Sequence, residues 1–267
     1  LLSAVPKLGS MRGIKLPAKF SNVDINRSEG DEIKKVKSTK KLLEIRDTVD
    51  AKSLPLLKVQ GLTTRFEIKQ GIGTEKGMVH AVENIDFSLQ PGETLGLVGE
   101  SGCGKSTTGR SIVRLVEPTK GVISFEGQDL ISLNKTEIRD FRRQIQMIFQ
   151  DPFASLNPRM TVGDTIAEPI FVHDQIKGDE LKDRISMLLK RVGLSPDYAT
   201  RYPHELSGGQ RQRIGIARAI ALSPKLIIAD EAVSALDVSI QAQVVNLMMD
   251  LQEDLKLAYL FISHDMA

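Results

Sequence analysis

Apolar and polar positions alternate through residues 57–62 and 81–89, the pattern of strands with one buried face. After a Pro91-Gly92 turn the pattern changes to an apolar run, Thr94-Leu95-Gly96-Leu97-Val98. Further runs of the same kind occupy 145–149, 226–229 and 258–262. Runs without alternation suit strands covered on both faces, so these three are expected at the centre of a parallel sheet. Helical spacing takes over at 106–116, with Ile112, Val113, Leu115 and Val116 as the expected buried side and Pro118 beyond the end. Residues 151–202 read as a mostly helical insert, with one helix at 181–192 by its period.

Upstream the texture differs. Residues 1–20 hold a short apolar stretch broken by Pro6, Gly9, Gly13 and Pro17, and 21–54 are polar and charged. Lys34, Lys35, Lys37, Lys40 and Lys41 crowd together there, as in segments that bind nucleic acid or anionic lipid. Asp31, Glu32, Glu44 and Asp47 interleave with them, which favours a solvated linker between domains.

The residues that end the apolar runs carry the chemistry. They are Gly99, Gln150, Asp230-Glu231 and, after Ser263, His264. Open α/β sheets bind ligands at the carboxyl ends of their strands, so four such endings together predict a site. The first run leads into Gly99-Glu100-Ser101-Gly102-Cys103-Gly104-Lys105-Ser106, which fits G-x-x-x-x-G-K-[ST] at every constrained position. Glycines at these places let backbone N–H groups turn inward around a β-phosphate, and the following helix adds its positive end. Lys105 can reach the β- and γ-phosphates, and the Ser106 hydroxyl, with Thr107 next to it, stands where Mg²⁺ binds. Asp230, after four apolar residues, is a metal-directed carboxylate in this setting. Glu231 is suited to polarise an attacking water; the plainer reading of the two is a solvated acidic pair at a strand end. Gln150 can offer a neutral amide to metal or water, or be a surface residue. Cys103 fills a free position of the motif and is read as a bystander. Phe66 is either a stacking surface for adenine or a core residue.

A second segment, Leu206-Ser207-Gly208-Gly209-Gln210, repeats the ingredients of the first: a hydroxyl, two glycines and a helix expected from Gln210 through Ile214, Ala217 and Ala221. Ser207 can cap that helix and aim its dipole at an anion. It has no lysine and would bind phosphate weakly alone. It makes sense as a lid on a nucleotide held by another phosphate loop; a glycine-rich helix start is the simpler alternative.

Composition adds exclusions. The chain has 267 residues and a formal net charge of +2, with 36 Lys and Arg against 34 Asp and Glu, so bulk charge calls for no nucleic acid. One cysteine leaves no internal disulfide framework and fits a reducing compartment. No apolar run approaches the roughly 18 residues of a membrane span, and residues 1–6 carry no basic n-region and are too short for a secretory h-region.

These segments, in this order, resemble the ATP-binding domain of ABC transporters over residues 56–267. The matches are 99–106 (Walker A), Gln150 (Q-loop), 206–210 (signature), 226–231 (Walker B), Ser234-Ala235-Leu236-Asp237 (D-loop) and His264 (H-loop). Phe149-Gln150-Asp151-Pro152-Phe153-Ala154-Ser155-Leu156-Asn157-Pro158-Arg159 and Arg201-Tyr202-Pro203-His204-Glu205 are similar to the peptide and nickel importer branch. Ala232 and the closing 261–267 are similar to importers of glutathione. The resemblance implies an α/β P-loop NTPase fold with a parallel-sheet core, an antiparallel β subdomain and a helical signature subdomain at about 151–215. It implies ATP and Mg²⁺ as cofactors. Glu231, His264 and Gln150 would be catalytic, and Ser106, Gln150 and Asp230 would face the metal. Residues 99–107, Phe66, Ser207, Gly208, Gly209, Gln210 and Asp237 would contact nucleotide. It further implies uptake of di- or oligopeptides or glutathione, at the cytoplasmic face of the bacterial inner membrane. The partners would be two permease subunits, a periplasmic binding protein acting indirectly, and a second ATPase domain. Residues 1–20 look like the tail of that second domain, 21–54 the linker, and 55–267 an ATPase domain cut after the H-loop. A non-transport ABC ATPase of ribosome or DNA is the alternative. Repair types insert hundreds of residues between Q-loop and signature, whereas only 56 positions separate Gln150 from Leu206 here.

Overall fold

The computed structural model describes residues 48–49, 53–68, 77–151 and 154–264. The tail at 1–20 and nearly all of the linker at 21–54 fall outside them.

The first sheet is antiparallel, with strands β1 (Leu57–Ile68), β2 (Gly77–Leu89), β4 (Lys120–Phe125) and β5 (Gln128–Asp129) in the order β2-β1-β4-β5. β1 continues six residues past the alternating stretch at 57–62, and β2 begins four residues before 81–89. Irregularities in their pairing explain why: register shifts fall between Val59 and Leu62, Leu62 and Thr64, and Thr64 and Arg65. Each shift changes the face that a side chain takes, so the period of two is lost although the strand continues. Gly61 takes a φ of 59° at this irregularity, and its N–H donates to Asp86 Oδ1 at 2.7 Å.

The second sheet is parallel, with β3 (Thr94–Val98), β6 (Ile145–Ile148), β7 (Leu226–Asp230) and β8 (Ala258–Ser263) in the order β3-β8-β7-β6. Its side chains show why β7 and β8 read as unbroken apolar runs. Leu226 and Ile228, with Ala258, Leu260 and Ile262, enter the core shared with the antiparallel sheet. Ile227, Ala229 and Tyr259 enter a second core beneath the helices. The run at 145–149 does not lie at the centre: β6 is an edge strand among the described residues, with Gln146 and Met147 only half-buried.

Helix α1 (Lys105–Ile112) lies between the two sheets and stops four residues before the expected 116. Arg114 adopts a φ of 50°, and its Nη1 donates to the carbonyls of Leu130 (2.9 Å) and Leu133 (2.6 Å). That break turns Leu115 to solvent, 51% exposed, where helical spacing had placed it on the buried side. Helix α2 (Lys135–Phe141) carries a reciprocal cap between Asn134 and Glu137. The insert supplies α3 (Val162–Asp174) and α4 (Gly178–Arg191), the latter starting three residues before the expected 181. Next come α5 (Gly208–Ile220) and α6 (Val238–Leu255), which buries Val244, Met248 and Leu251 in the second core. No described helix is long and apolar enough to cross a membrane.

α1 approaches the parallel sheet closely enough to demand glycine at 109. A Cβ there would stand 2.9 Å from Ile262 Cδ1 and 3.1 Å from Ile228 Cγ2. Gly109→Val should therefore overpack the core and cost about 1–3 kcal/mol, read as a lower urea midpoint. An unchanged midpoint would show that this contact is slack.

Candidate nucleotide site

The loop between β3 and α1 is shaped by two glycines in the left-handed region. Gly102 has a φ of 83° and Gly104 one of 97°. At Gly104 a Cβ would fall 1.9 Å from the Ala81 carbonyl oxygen of β2, so the loop rests on bare backbone and no side chain fits. α1 begins at the next residue, and its N-terminal N–H groups face the loop. Lys105 folds back over the same loop: its Nζ donates to the carbonyls of Gly99 (2.6 Å) and Glu100 (2.7 Å) and lies 3.9 Å from Cys103 Sγ. Glu100, Ser101 and Cys103 are exposed, and Thr107 is half-buried on the first turn.

Ser106 Oγ donates to Asp230 Oδ1 at 2.7 Å, across 124 positions of sequence. Asp230 ends β7 and is completely buried, and its second oxygen, Oδ2, has no hydrogen-bond partner. Burial pushes its carboxyl above the usual range; the Ser106 bond and the charges of Arg110 and Lys105 oppose that shift, and Glu231 adds to it. A buried carboxylate oxygen without a partner, beside a hydroxyl, is a hard-oxygen arrangement that fits a small divalent cation.

Glu231 leaves β7 with a φ of 46° while its N–H donates to the Ile262 carbonyl at 3.0 Å. This left-handed step is costly for a residue other than glycine, and such steps gather at functional sites. It puts the carboxylate within reach of both neighbouring strand ends. Gln150 Nε2 donates to Glu231 Oε2 at 2.7 Å, and His264 Nδ1 stands 3.7 Å from the same oxygen. The ends of β6, β7 and β8 are thus gathered around one carboxylate.

The segment 206–210 has a different role locally. α5 starts at Gly208, two residues before the expected Gln210, with Ser207 as its N-cap. The cap is reciprocal: Gln210 N–H donates to Ser207 Oγ (3.3 Å) and Ser207 N–H to Gln210 Oε1 (3.0 Å). Gly209 has a structural reason besides, since a Cβ would lie 2.7 Å from Ile240 Cγ2 of α6. Among the described residues no hydrogen bond or ion pair joins 207–210 to the loop at 99–107. Asp237 precedes α6, with its carbonyl accepting from the N–H groups of Ile240 (2.9 Å) and Gln241 (2.8 Å) and its side chain exposed. Phe66 lies opposite Val79 on the antiparallel sheet and is 40% exposed, outside the core. Sequence reasoning missed Tyr198, whose hydroxyl accepts from Gln210 Nε2 at 3.0 Å; an aromatic residue in a loop twelve positions upstream gave no signal.

Beside Gln150 opens a groove of about 760 Å³, lined by Arg110, Arg142, Glu168, Pro169 and Arg218 among others. It runs between the parallel sheet and α3. Arg218 reaches across its floor and donates to the Ser155 carbonyl at 2.8 Å.

The sequence profile described as ABC transporter matches residues 82–234, more than half of the chain. The chain belongs to the ABC transporter family. Glutathione import ATP-binding proteins of Pectobacterium atrosepticum (55% identical over 270 residues) and Salmonella paratyphi A (55% over 268) match 100% of this ABC chain. The chain spans 41% of the length of each. Among solved structures, the dimeric ATP-binding cassette MJ0796 bound to ADP and Pi is 29% identical, with a TM-score of 0.70 over 78% of this chain and 88% of that one. The cassette cbiO1 from Clostridium perfringens, part of the ABC transporter complex cbiONQ, is 28% identical, with a TM-score of 0.66 over 80% of each chain. The ABC fold expected from the motifs is the fold observed, with its parallel core, antiparallel subdomain and signature helix.

The buried charge of Asp230 gives a testable pH dependence in the ABC protein without nucleotide. A carboxyl raised in the folded state destabilises it above that raised value, and the penalty fades as pH falls toward the unfolded value of about 4. Asp230→Asn should therefore raise Tm at pH 7.5, with a margin over wild type that shrinks as the buffer is acidified toward pH 4. A lower Tm than wild type at pH 7.5 would contradict the unpaired charge.

Proposed function

We propose that this chain binds and hydrolyses ATP to energise import of glutathione or di- and oligopeptides across the bacterial inner membrane. The observation that carries the reading is the Gln150–Glu231–His264 cluster beside the Ser106–Asp230 pair, at one end of the parallel sheet. The names of the relatives support the transport side.

In this reading the inward N–H groups of 99–106 and the α1 terminus hold the phosphates, and Lys105 exchanges its loop carbonyls for phosphate oxygens. Ser106 and Asp230, with its unpaired Oδ2, would hold Mg²⁺, with Gln150 nearby; the ion supplies charge neutralisation for the β- and γ-phosphates. Glu231 accepts a proton from the water that attacks the γ-phosphorus as the bond to the ADP oxygen breaks. Gln150 donates to its carboxylate and orients it, and His264 stands close enough to the same oxygen to fix its direction. Phe66, exposed on the antiparallel sheet, offers its ring to adenine. Ser207 to Gln210, with Asp237, serves an ATP held by a second ATPase domain, so that two domains close on each nucleotide.

The groove beside Gln150 is the proposed seat of a permease subunit, one of two. Apolar Pro169 and Val172 with three arginines can take an amphipathic element, and the Gln150 backbone carries its movement to Glu231. A periplasmic binding protein would act through those permeases, and the chain would sit peripherally on the cytoplasmic face. Residues 1–20 and 21–54 would be the tail and linker of the preceding domain.

In the full-length protein assembled with its permeases, Glu231→Gln should lower ATP hydrolysis by about a hundredfold or more while ATP binding persists. Turnover at the wild-type rate in that variant would sink the assignment.

A further inference from the structure

Gln210 is held at both ends of its amide, and the partners are unlike. Oε1 accepts from Ser207 N–H at 3.0 Å, and Nε2 donates to the Tyr198 hydroxyl at 3.0 Å. A primary amide that turned over would point its NH₂ group at the Ser207 N–H, donor against donor. The Ser207 N–H thus selects the orientation, and the tyrosine hydroxyl, accepting from Nε2, anchors the far end of the amide.

Tyr198 is itself held firmly. It lies half-buried on a 3₁₀ turn, Pro196–Thr200, with the Arg201 guanidinium 4.1 Å above its ring centroid. The turn is tied to α3: Val162 N–H donates to the Arg201 carbonyl at 2.9 Å. It also approaches α3 so closely at Gly163 that a Cβ there would lie 2.9 Å from the Ala199 carbonyl oxygen. α3 is the helix that lines the groove beside Gln150 through Glu168, Pro169 and Val172. One chain of contacts therefore runs from the groove, along α3, through the turn and the Tyr198 hydroxyl, to the Gln210 amide and Ser207.

We propose that Tyr198 is a positioning residue for the Ser207–Gln210 segment: its hydroxyl anchors the Gln210 amide and passes the position of α3 to the phosphate-contacting serine. This rests on the reading of that segment as part of an ATP site shared with a second domain. Tyr198 touches no nucleotide in this account and acts through Gln210 alone.

The test uses the full-length protein assembled with its permeases. Tyr198→Phe keeps the ring and its contact with Arg201 and removes only the hydroxyl. The loss of one neutral hydrogen bond corresponds to a fall in kcat of about two- to tenfold. ATP affinity, measured in a Glu231→Gln background, should stay at the parent value, and Tm should move by no more than a few degrees, because Lys105 and the core are untouched. Gln210→Ala should lower kcat as well, and adding Tyr198→Phe to it should bring no further loss. A wild-type kcat in Tyr198→Phe, additive losses in the double variant, or a loss that tracks Tm or ATP affinity would overturn the proposal. Absence of ATP hydrolysis in the wild-type complex would overturn the functional reading and this inference with it. Hydrolysis that Glu231→Gln abolishes but Tyr198→Phe leaves intact would overturn this inference alone.

Discussion

A carboxylate stripped of water sits at the junction of the molecule, and much of the surrounding structure makes its position tolerable. Asp230 is fully buried with one oxygen bonded to Ser106 and the other to nothing. An unpaired buried charge costs several kcal/mol in general, so it persists only where other interactions fix it. Here β7 is paired on both sides, by β6 and β8, and sends alternate side chains into two separate cores. α1 brings Ser106, and Gly109 lets that helix come down onto Ile228 and Ile262. Two cationic side chains, Arg110 and Lys105, oppose the upward shift that burial imposes on the carboxyl. In the proposed reading, a cation and nucleotide bound beside Asp230 would relieve that cost.

Much of this was legible in the chain. The phosphate loop is set by local constraints on backbone conformation, so glycines at 102 and 104 announce it without tertiary information. β7 and β8 were legible because burial on both faces leaves no polar position within them. Other features depend on contacts distant in sequence and left weaker traces. The bulges of β1 erase its alternation although the strand continues. The early end of α1 depends on where Leu130 and Leu133 place their carbonyls for Arg114, which no local pattern encodes. The run of β6 reads as central because Ile145 and Ile148 are buried in the two cores, even though the strand lies at the edge. At the site, the strand-end rule located Gln150, Asp230, Glu231 and His264 individually. Their convergence depends on the left-handed step at Glu231, which a glutamate codon does not advertise.

The helical insert links two features that are far apart in sequence. Gln150 stands at its entrance and touches Glu231; α3 lines the groove; and the turn after α4 holds Gln210 through Tyr198. A rigid-body shift of α3 would be felt at both places, because Gly163 packs on Ala199 too tightly to slip. In the proposed importer this lets one docking event adjust the water-activating carboxylate of one ATP and the phosphate-contacting serine of another.

The central claim is that Lys105 and Ser207 serve different nucleotides. Its most direct test is ATP binding and hydrolysis, measured together in the full-length protein with the other domain's phosphate loop disabled. Under that condition Ser207→Arg should leave both the Kd for ATP and any remaining hydrolysis at the values set by disabling that loop, because the nucleotide Ser207 serves is already absent. Lys105→Ala should lose binding itself. An equal loss of ATP affinity in Ser207→Arg and Lys105→Ala would place both residues on one nucleotide and contradict the account.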